Sequence, residues 1–283
     1  MTNTIHHGAW AHAPNLSADA TGSIHDEDQA RSLGFQAALV GGSVLSAFLT
    51  SVLVDRFGPA WYERGFLKVS FVAPVYDTDE IRAVLEDLEA APGDEVLVRA
   101  GLEKRDGSRA VAGYAGLART ADAARPPWQR PGEPPAAVPG GADDPLPEEA
   151  IGSGPPPRPL MVTVEESASR RDAAGDASPW YTEASPWDGP IVPTFMYLLV
   201  NLGNGGRRPR AAEDRGARAG MNGTFQLLQT GPMFAGREYT LRSTLAEKGF
   251  SGRTAFRTAE FAIEDAEGRR IAWARQKARW FPR

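Results

Sequence analysis

The sequence contains no cysteine. That excludes a disulfide framework, a thiolate nucleophile and a cysteine-ligated metal, and it fits a reducing compartment. Long hydrophobic runs are missing too. Although 42% of residues are hydrophobic, no apolar stretch reaches the roughly 18 residues that a membrane-spanning helix needs. Positive charge is not in excess: 31 Lys and Arg stand against 36 Asp and Glu, giving a net charge of −5 and a pI of about 5.5. A broad nucleic-acid surface built on clustered cations is therefore excluded. The opening residues Met1–His7 hold no basic region followed by an apolar one, so they do not read as a secretory signal. The expectation is a cytoplasmic protein with no membrane or nucleic-acid partner. Histidine is scarce, with four in 283 residues, and none clusters with carboxylates at metal-ligand spacing, so no metal is expected.

Proline and glycine are plentiful, 23 and 30 respectively, but unevenly spread. Residues 123–157 gather Pro126-Pro127, Pro134-Pro135, Pro139-Gly140-Gly141 and Pro155-Pro156-Pro157. This composition reads as a stiff, solvated linker. It separates a unit over 1–122 from a unit over 158–283, and the length suits one large domain or two small ones. At the amino terminus His6 and His7 read as a solvated segment, and Ala9–His12 as a first strand.

One stretch concentrates residues with chemical potential. Ser23-Ile24-His25-Asp26-Glu27-Asp28 sets a histidine beside acids. A short helix is predicted over Asp26–Leu33, capped by Ser23 or Asp26 and ended by Gly34. Phe35–Val40 is an apolar lead-in, and Gly41-Gly42-Ser43 opens a second helix with Ser43 as its N-cap. From Val44 to Phe57 apolar residues fall on every side, so this helix is predicted to be buried all round until Gly58-Pro59 stops it. Strands follow over Phe66–Ala73, Glu80–Leu88, Glu95–Leu102 and Arg109–Leu117, with Asp106-Gly107 as a hairpin turn. A buried helix followed by antiparallel strands predicts an α+β unit in which a curved sheet wraps the helix.

After the linker the same order of signals returns. Leu160–Val164 reads as a strand, Asp176–Glu183 as the counterpart of the histidine stretch, and Phe195–Leu202 as an apolar helix. Strands follow over Gly223–Gln229, Glu238–Lys248, Arg253–Glu264 and Arg270–Trp280. Ala38-Leu39-Val40-Gly41-Gly42-Ser43 matches Pro190-Ile191-Val192-Pro193-Thr194, and Ala73-Pro74-Val75-Tyr76 matches Gly231-Pro232-Met233-Phe234. Two copies of one unit predict a pseudo-dimer within one chain.

On these residues the chain resembles the hotdog-fold superfamily, and within it the MaoC-like dehydratases and R-specific enoyl-CoA hydratases. Ile24-His25, Asp26, Asp28, Ala30, Gly34-Phe35, Leu39-Val40 and Gly42 match the hydratase motif, and Phe71-Val72-Ala73-Pro74-Val75-Tyr76-Asp77-Thr78-Asp79 matches a second one. The resemblance implies two tandem hotdog units. It also has departures. The motif's aspartate position holds Ala20, with Asp19 one residue early, and its asparagine and proline positions hold Gly22 and Ser23. Gly41-Gly42 replaces a His-Gly pair. In the second unit Asp176 and Ser178-Pro179 stand at the expected positions, while Tyr181 takes the place of the histidine.

The resemblance implies addition or removal of water beside an acyl-thioester carbonyl. A histidine can serve as base and acid in such a reaction, and the enolate needs preorganised donors, which the amides of a helix start can supply. The candidate catalytic residues are His25, Asp19, Asp26, Asp176 and Tyr181, with Asp28 as helix-start charge. The candidate substrate-binding residues are Gly41, Gly42, Ser43 and Thr194. No cofactor is implied; the acyl group would ride on coenzyme A or an acyl-carrier protein. Arg207, Arg208, Arg210, Arg215 and Arg218 either meet its phosphates or lie on a solvated loop. Two other functions stay open, an isomerase or cyclase acting on a polyketide-like intermediate and a non-catalytic acyl-binding protein, as does a homodimer of such chains.

Overall fold

The computed structural model describes residues 4–90, 94–120, 126, 144–173, 176, 178–182, 184–198 and 220–281. Four helices lie among them: α1 (Glu27–Ser32), α2 (Gly42–Phe57), α3 (Ala60–Arg64) and α4 (Val164–Ala173). The strands are β1 (Ile5–His7), β2 (Ala11–His12), β3 (Gly65–Phe71), β4 (Glu80–Leu88), β5 (Asp94–Lys104), β6 (Arg109–Ala118), β7 (Arg158–Leu160), β8 (Gly220–Gln229), β9 (Tyr239–Ser251), β10 (Thr254–Glu264) and β11 (Arg270–Trp280).

All of these strands join one antiparallel sheet in the order β1-β4-β5-β6-β3-β8-β11-β10-β9-β7, with β2 paired to β4. The order is symmetric about the β3–β8 pair. That pair runs from Phe66↔Leu228 to Ser70↔Thr224 and is centred on Lys68↔Gln226. The two halves therefore share a continuous ladder, and no sheet edge is exposed where they meet.

Helix α2 lies against this sheet. Nine of its residues are buried, among them Val44, Leu45, Leu49, Leu53 and Phe57, and only Asp55 is exposed. They enter one core with Leu67, Val69, Ile81, Leu85, Val98 and Leu102 from the strands and with Phe225 and Leu227 from the second half. Burying each such side chain contributes about 1.5–3 kcal/mol. Gly58 ends α2 with φ of +60°, a conformation that costs a glycine little. The second unit's counterpart begins as a 3-10 turn over Thr194–Leu198; the rest of the predicted helix, and Arg207–Arg218, lie outside the described residues.

Several expectations need correction. The residues around His6 form strand β1, paired with β4 through His6↔Leu85, so this segment is an edge strand and not a solvated tail. Val164 begins α4 and is not part of a strand. Thr163 explains why: its Oγ1 accepts from the Glu166 amide at 3.0 Å, a Thr-x-x-Glu start typical of helices. Thr163→Ala is expected to cost about 1 kcal/mol, measurable by urea unfolding.

Most of the proposed linker lies outside the described residues. Its described end, 144–157, is exposed but not free. Lys248 Nζ donates to the carbonyls of Leu146 at 2.7 Å and Glu149 at 2.6 Å, and it pairs with Asp144. Gly152 N–H donates to Leu245 O at 2.8 Å, and Leu245 N–H to Ser153 O at 2.7 Å. The segment covers the outer edge of β9 beyond the short reach of β7, and so occupies backbone groups that an open edge would leave unpaired.

Candidate active site

The stretch around His25 is fixed by local bonds. Asp26 caps α1 by accepting from the Gln29 amide at 2.9 Å. Glu27 reaches back to the Ala38 amide at 2.7 Å. That bond, followed by the bond from Arg31, holds its carboxyl below the usual range. Ile24, Ala30 and Leu39 form a small buried cluster, with Leu33, Phe35, Tyr76 and Met221 packed on it. Leu39 N–H donates to Ile24 O at 2.9 Å. The lead-in is thereby folded back over the histidine.

The His25 ring lies beneath that fold. Its Nδ1 is 2.7 Å from Leu39 O. A carbonyl only accepts, so Nδ1 carries the proton and the lone pair of the neutral ring sits on Nε2. The backbone is held on both sides: Asn15 Nδ2 donates to His25 O at 2.9 Å, and His25 N–H donates to Ser23 Oγ at 3.1 Å. The start of α2 is adjacent, with a Cβ on Gly41 falling 3.7 Å from His25 Cε1. No side chain caps this end of α2, whose N-cap is Gly41. Ser43 is thus the second helical residue and not the cap, which corrects the expectation. Gly42 and Ser43 N–H have no intrahelical acceptor and accompany the positive end of the dipole.

The second half supplies the opposite wall. A Cβ on Gly42 would stand 2.7 Å from Asn222 Nδ2 and 3.1 Å from Phe71 Cζ. Gln276 Nε2 donates to Asn222 Oδ1 at 2.6 Å. These two amides were not among the sequence candidates. The available signal was Gly223, since a glycine inside a strand pattern marks a bulge.

The proposed carboxylates are elsewhere. Asp19 is exposed on a turn, Asp28 lies in the exposed first turn of α1, and an Asp26 oxygen is committed to capping. Among the described residues the His25 ring bonds to a backbone carbonyl and to no carboxylate.

Asp176, Tyr181 and Thr194 form a separate cluster, related to the first by hydrogen bonds that repeat. Leu39 N–H to Ile24 O corresponds to Ile191 N–H to Trp180 O at 3.1 Å, and Val40 N–H to Val75 O at 2.8 Å corresponds to Val192 N–H to Met233 O at 2.7 Å. By this correspondence Tyr181 occupies the place of His25, and Thr194 that of Gly42. Here the space is filled. Trp61 Nε1 donates to Thr194 Oγ1 at 2.9 Å, Tyr62 and Tyr181 share a hydroxyl bond of 3.1 Å, and Tyr62, Trp180 and Trp187 pack edge to face. Burial pushes the Tyr62 phenol up to about 12 and raises that of Tyr181 well above its ordinary value. Burial thus disfavours the phenolate form of both.

Burial also raises the Asp176 carboxyl, an effect partly offset by the Ser178 amide. Its Oδ2 has no hydrogen-bond partner among the described residues. An acid whose folded pKa is raised loses folding stability as pH climbs from its unfolded toward its folded value. Asp176→Asn is therefore expected to raise Tm by a few degrees at pH 7 and to leave it unchanged near pH 3, where the carboxyl is protonated in both states. Equal Tm differences at the two pH values would contradict this.

No protein-family profile matches the sequence, and no curated protein aligns with it. Solved structures do match along the whole chain. The fold they define is the double hotdog: a protein of that fold from Mycobacterium tuberculosis, essential for bacterial survival during infection, superposes with a TM-score of 0.57 at 13% identity, covering 97% of this chain and 96% of that one. A MaoC domain protein dehydratase from Chloroflexus aurantiacus superposes with a TM-score of 0.64 at 14% identity, covering 100% and 95%. An acyl-ACP thioesterase from Bacteroides thetaiotaomicron does so at 0.50 and 9%, covering 97% of each chain. The neighbours thus include both dehydratases and thioesterases. Among the described residues no helix is long and apolar enough to cross a membrane, and no group of three or more His, Asp or Glu side chains could hold a metal ion.

Proposed function

We propose that the protein hydrates an enoyl thioester, or dehydrates the corresponding 3-hydroxyacyl thioester, at the site around His25. The observation that carries this reading is the placement of the His25 ring against the uncapped start of α2, at 3.7 Å from the Gly41 Cβ position. A base and a set of oxyanion donors are thereby brought side by side.

In the hydration direction His25 Nε2 takes a proton from water as the water oxygen bonds to C3. The C2–C3 π electrons move toward the thioester oxygen, which the Gly42 and Ser43 amides stabilise. His25 then returns the proton to C2, completing the addition of water. The Leu39 carbonyl holds Nδ1–H through the cycle. It takes the orienting role that a carboxylate has in other histidine sites. The carrier would be coenzyme A or an acyl-carrier protein.

Two assays on one substrate test the reading. With crotonyl-CoA, loss of enoyl absorbance is expected without release of free thiol. Thiol release without formation of a hydroxyl would place the protein with the thioesterases instead. That no carboxylate among the described residues bonds the His25 ring favours a second reading, a non-catalytic acyl-binding protein; binding of butyryl-CoA with no turnover of any thioester would select it.

A further inference from the structure

We infer that Asn222, oriented by Gln276, is a substrate-contacting donor of the His25 site, so that the site is assembled from both halves of the chain. The inference rests on the hydration reading for the identity of the ligand atom, the thioester oxygen.

Three observations converge on Asn222. Its Nδ2 lies 2.7 Å from the Cβ position of Gly42, so a side chain there would have to displace the amide. Its amide has a defined orientation, because Oδ1 accepts from Gln276 Nε2 at 2.6 Å. That bond turns the two Nδ2 protons toward the start of α2, and among the described residues they meet no acceptor. The strand is also built to aim this side chain. Along β8 and β11 the pairing runs Lys277↔Thr224 and then Ala278↔Asn222, which leaves Gly223 without a partner. Such a bulge redirects the neighbouring side chain. A Cβ at Gly223 would crowd Arg279 Nε at 3.1 Å and Lys277 O at 3.3 Å, so glycine suits the bulge.

The start of β8 is anchored as well as aimed. Met221, next in the chain, packs on the Ile24–Ala30–Leu39 cluster that folds over His25. Asn222 is thus tied to the same body as the base. Phe71 Cζ, 3.1 Å from the Gly42 Cβ position, gives an apolar wall in which a polar donor counts for more than in water. The related cluster shows the alternative. There Thr194 stands in place of Gly42, and the Trp61 indole fills the space. The nearby Gln229 amide is taken up there by Thr194 Oγ1 and by the Trp61 carbonyl.

In the reaction, Asn222 Nδ2 donates to the thioester oxygen beside the Gly42 amide, and the bond strengthens as negative charge develops there. Removing one such donor lowers kcat by about 10²–10³-fold in comparable sites.

The test uses the full chain with crotonyl-CoA. Asn222→Ala is expected to lower kcat by about 10²–10³-fold with little change in KM. Asn222→Asp should fall further, because a carboxylate repels the enolate. Gln276→Leu, which frees the amide without removing it, should give an intermediate loss. Asn222→Leu keeps the shape without the donor and carries the same test if the alanine variant fails to fold. Wild-type kcat in the leucine or alanine variant, with the wild type active, overturns the inference. If the wild type hydrates nothing, the hydration reading falls, and butyryl-CoA binding by calorimetry decides the role of Asn222. A Kd raised about tenfold by Asn222→Leu, equivalent to about 1.4 kcal/mol, sustains it as a substrate contact, and an unchanged Kd overturns it.

Discussion

His25→Ala is expected to lower kcat for hydration of a short enoyl thioester by about 10²–10⁴-fold, the range that a positioned general base supplies. The fold should survive. The ring is half-buried, and its one bond among the described residues is to Leu39 O. Losing that bond costs about 0.5–1.5 kcal/mol. The segment itself is held by bonds that do not involve the ring: Asn15 to His25 O, Leu39 N–H to Ile24 O, and Glu27 to the Ala38 amide. KM should change little if the ring acts on water as proposed. Steady-state kinetics with a circular-dichroism spectrum of the variant checks both halves of the expectation. Added imidazole should restore part of the rate, which a purely structural role for His25 would not allow.

Trp61→Ala is expected to have the largest effect on stability, a loss of about 3–5 kcal/mol and a fall in Tm on the order of 10 °C. Trp61 is fully buried and stacks on Phe57 with ring centroids 6.1 Å apart. Its indole donates to Thr194 in the second half, and its carbonyl accepts from Gln229 Nε2 at 2.9 Å. One residue of α3 therefore joins the end of α2, the second unit's helix start and strand β8. Truncation leaves both a cavity and a buried hydroxyl short of a partner. Trp61→Phe separates these terms, because it keeps most of the ring and removes only the donor. Thermal unfolding that is unchanged in both variants would mean that the second cluster contributes nothing to holding the halves together.

The central helix and the strands that follow it were legible in the sequence because their signals are local. Val44–Phe57 is apolar on all sides, and Asp106-Gly107 marks its hairpin turn. The β5–β6 and β10–β11 pairs follow from such turns, whereas β3–β6 and β8–β11 join strands far apart in the chain. The two matched lead-ins set Tyr181 in correspondence with His25, and the backbone bonds Leu39 N–H to Ile24 O and Ile191 N–H to Trp180 O follow the same correspondence. Helix α3 was not read, since Ala60–Arg64 is short and its purpose is tertiary: Trp61 and Tyr62 plug the second cluster. Helix α4 was misread because Val162 and Val164 suggested a strand, although the Thr163–Glu166 start signal was present.

The candidate site was legible only on its first-half side. His25 and the glycines carry a motif along the chain. That no carboxylate among the described residues bonds the ring could not be seen there, because Asp26 and Asp28 are near His25 in sequence, yet Asp26 caps α1 and Asp28 is exposed in its first turn. Asn222 and Gln276 come from strands that reach the site only through the β3–β8 junction. No spacing within the sequence announces a contact between Gly42 and a residue 180 positions later.

The most direct test of the account is the fate of oxygen from water. Crotonyl-CoA incubated with the protein in water enriched in heavy oxygen is expected to yield a 3-hydroxybutyryl thioester carrying one label on C3. The same incubation with His25→Ala should yield none at matched enzyme concentration. Label in a free carboxylate, or a rearranged product without label, would contradict hydration at this site.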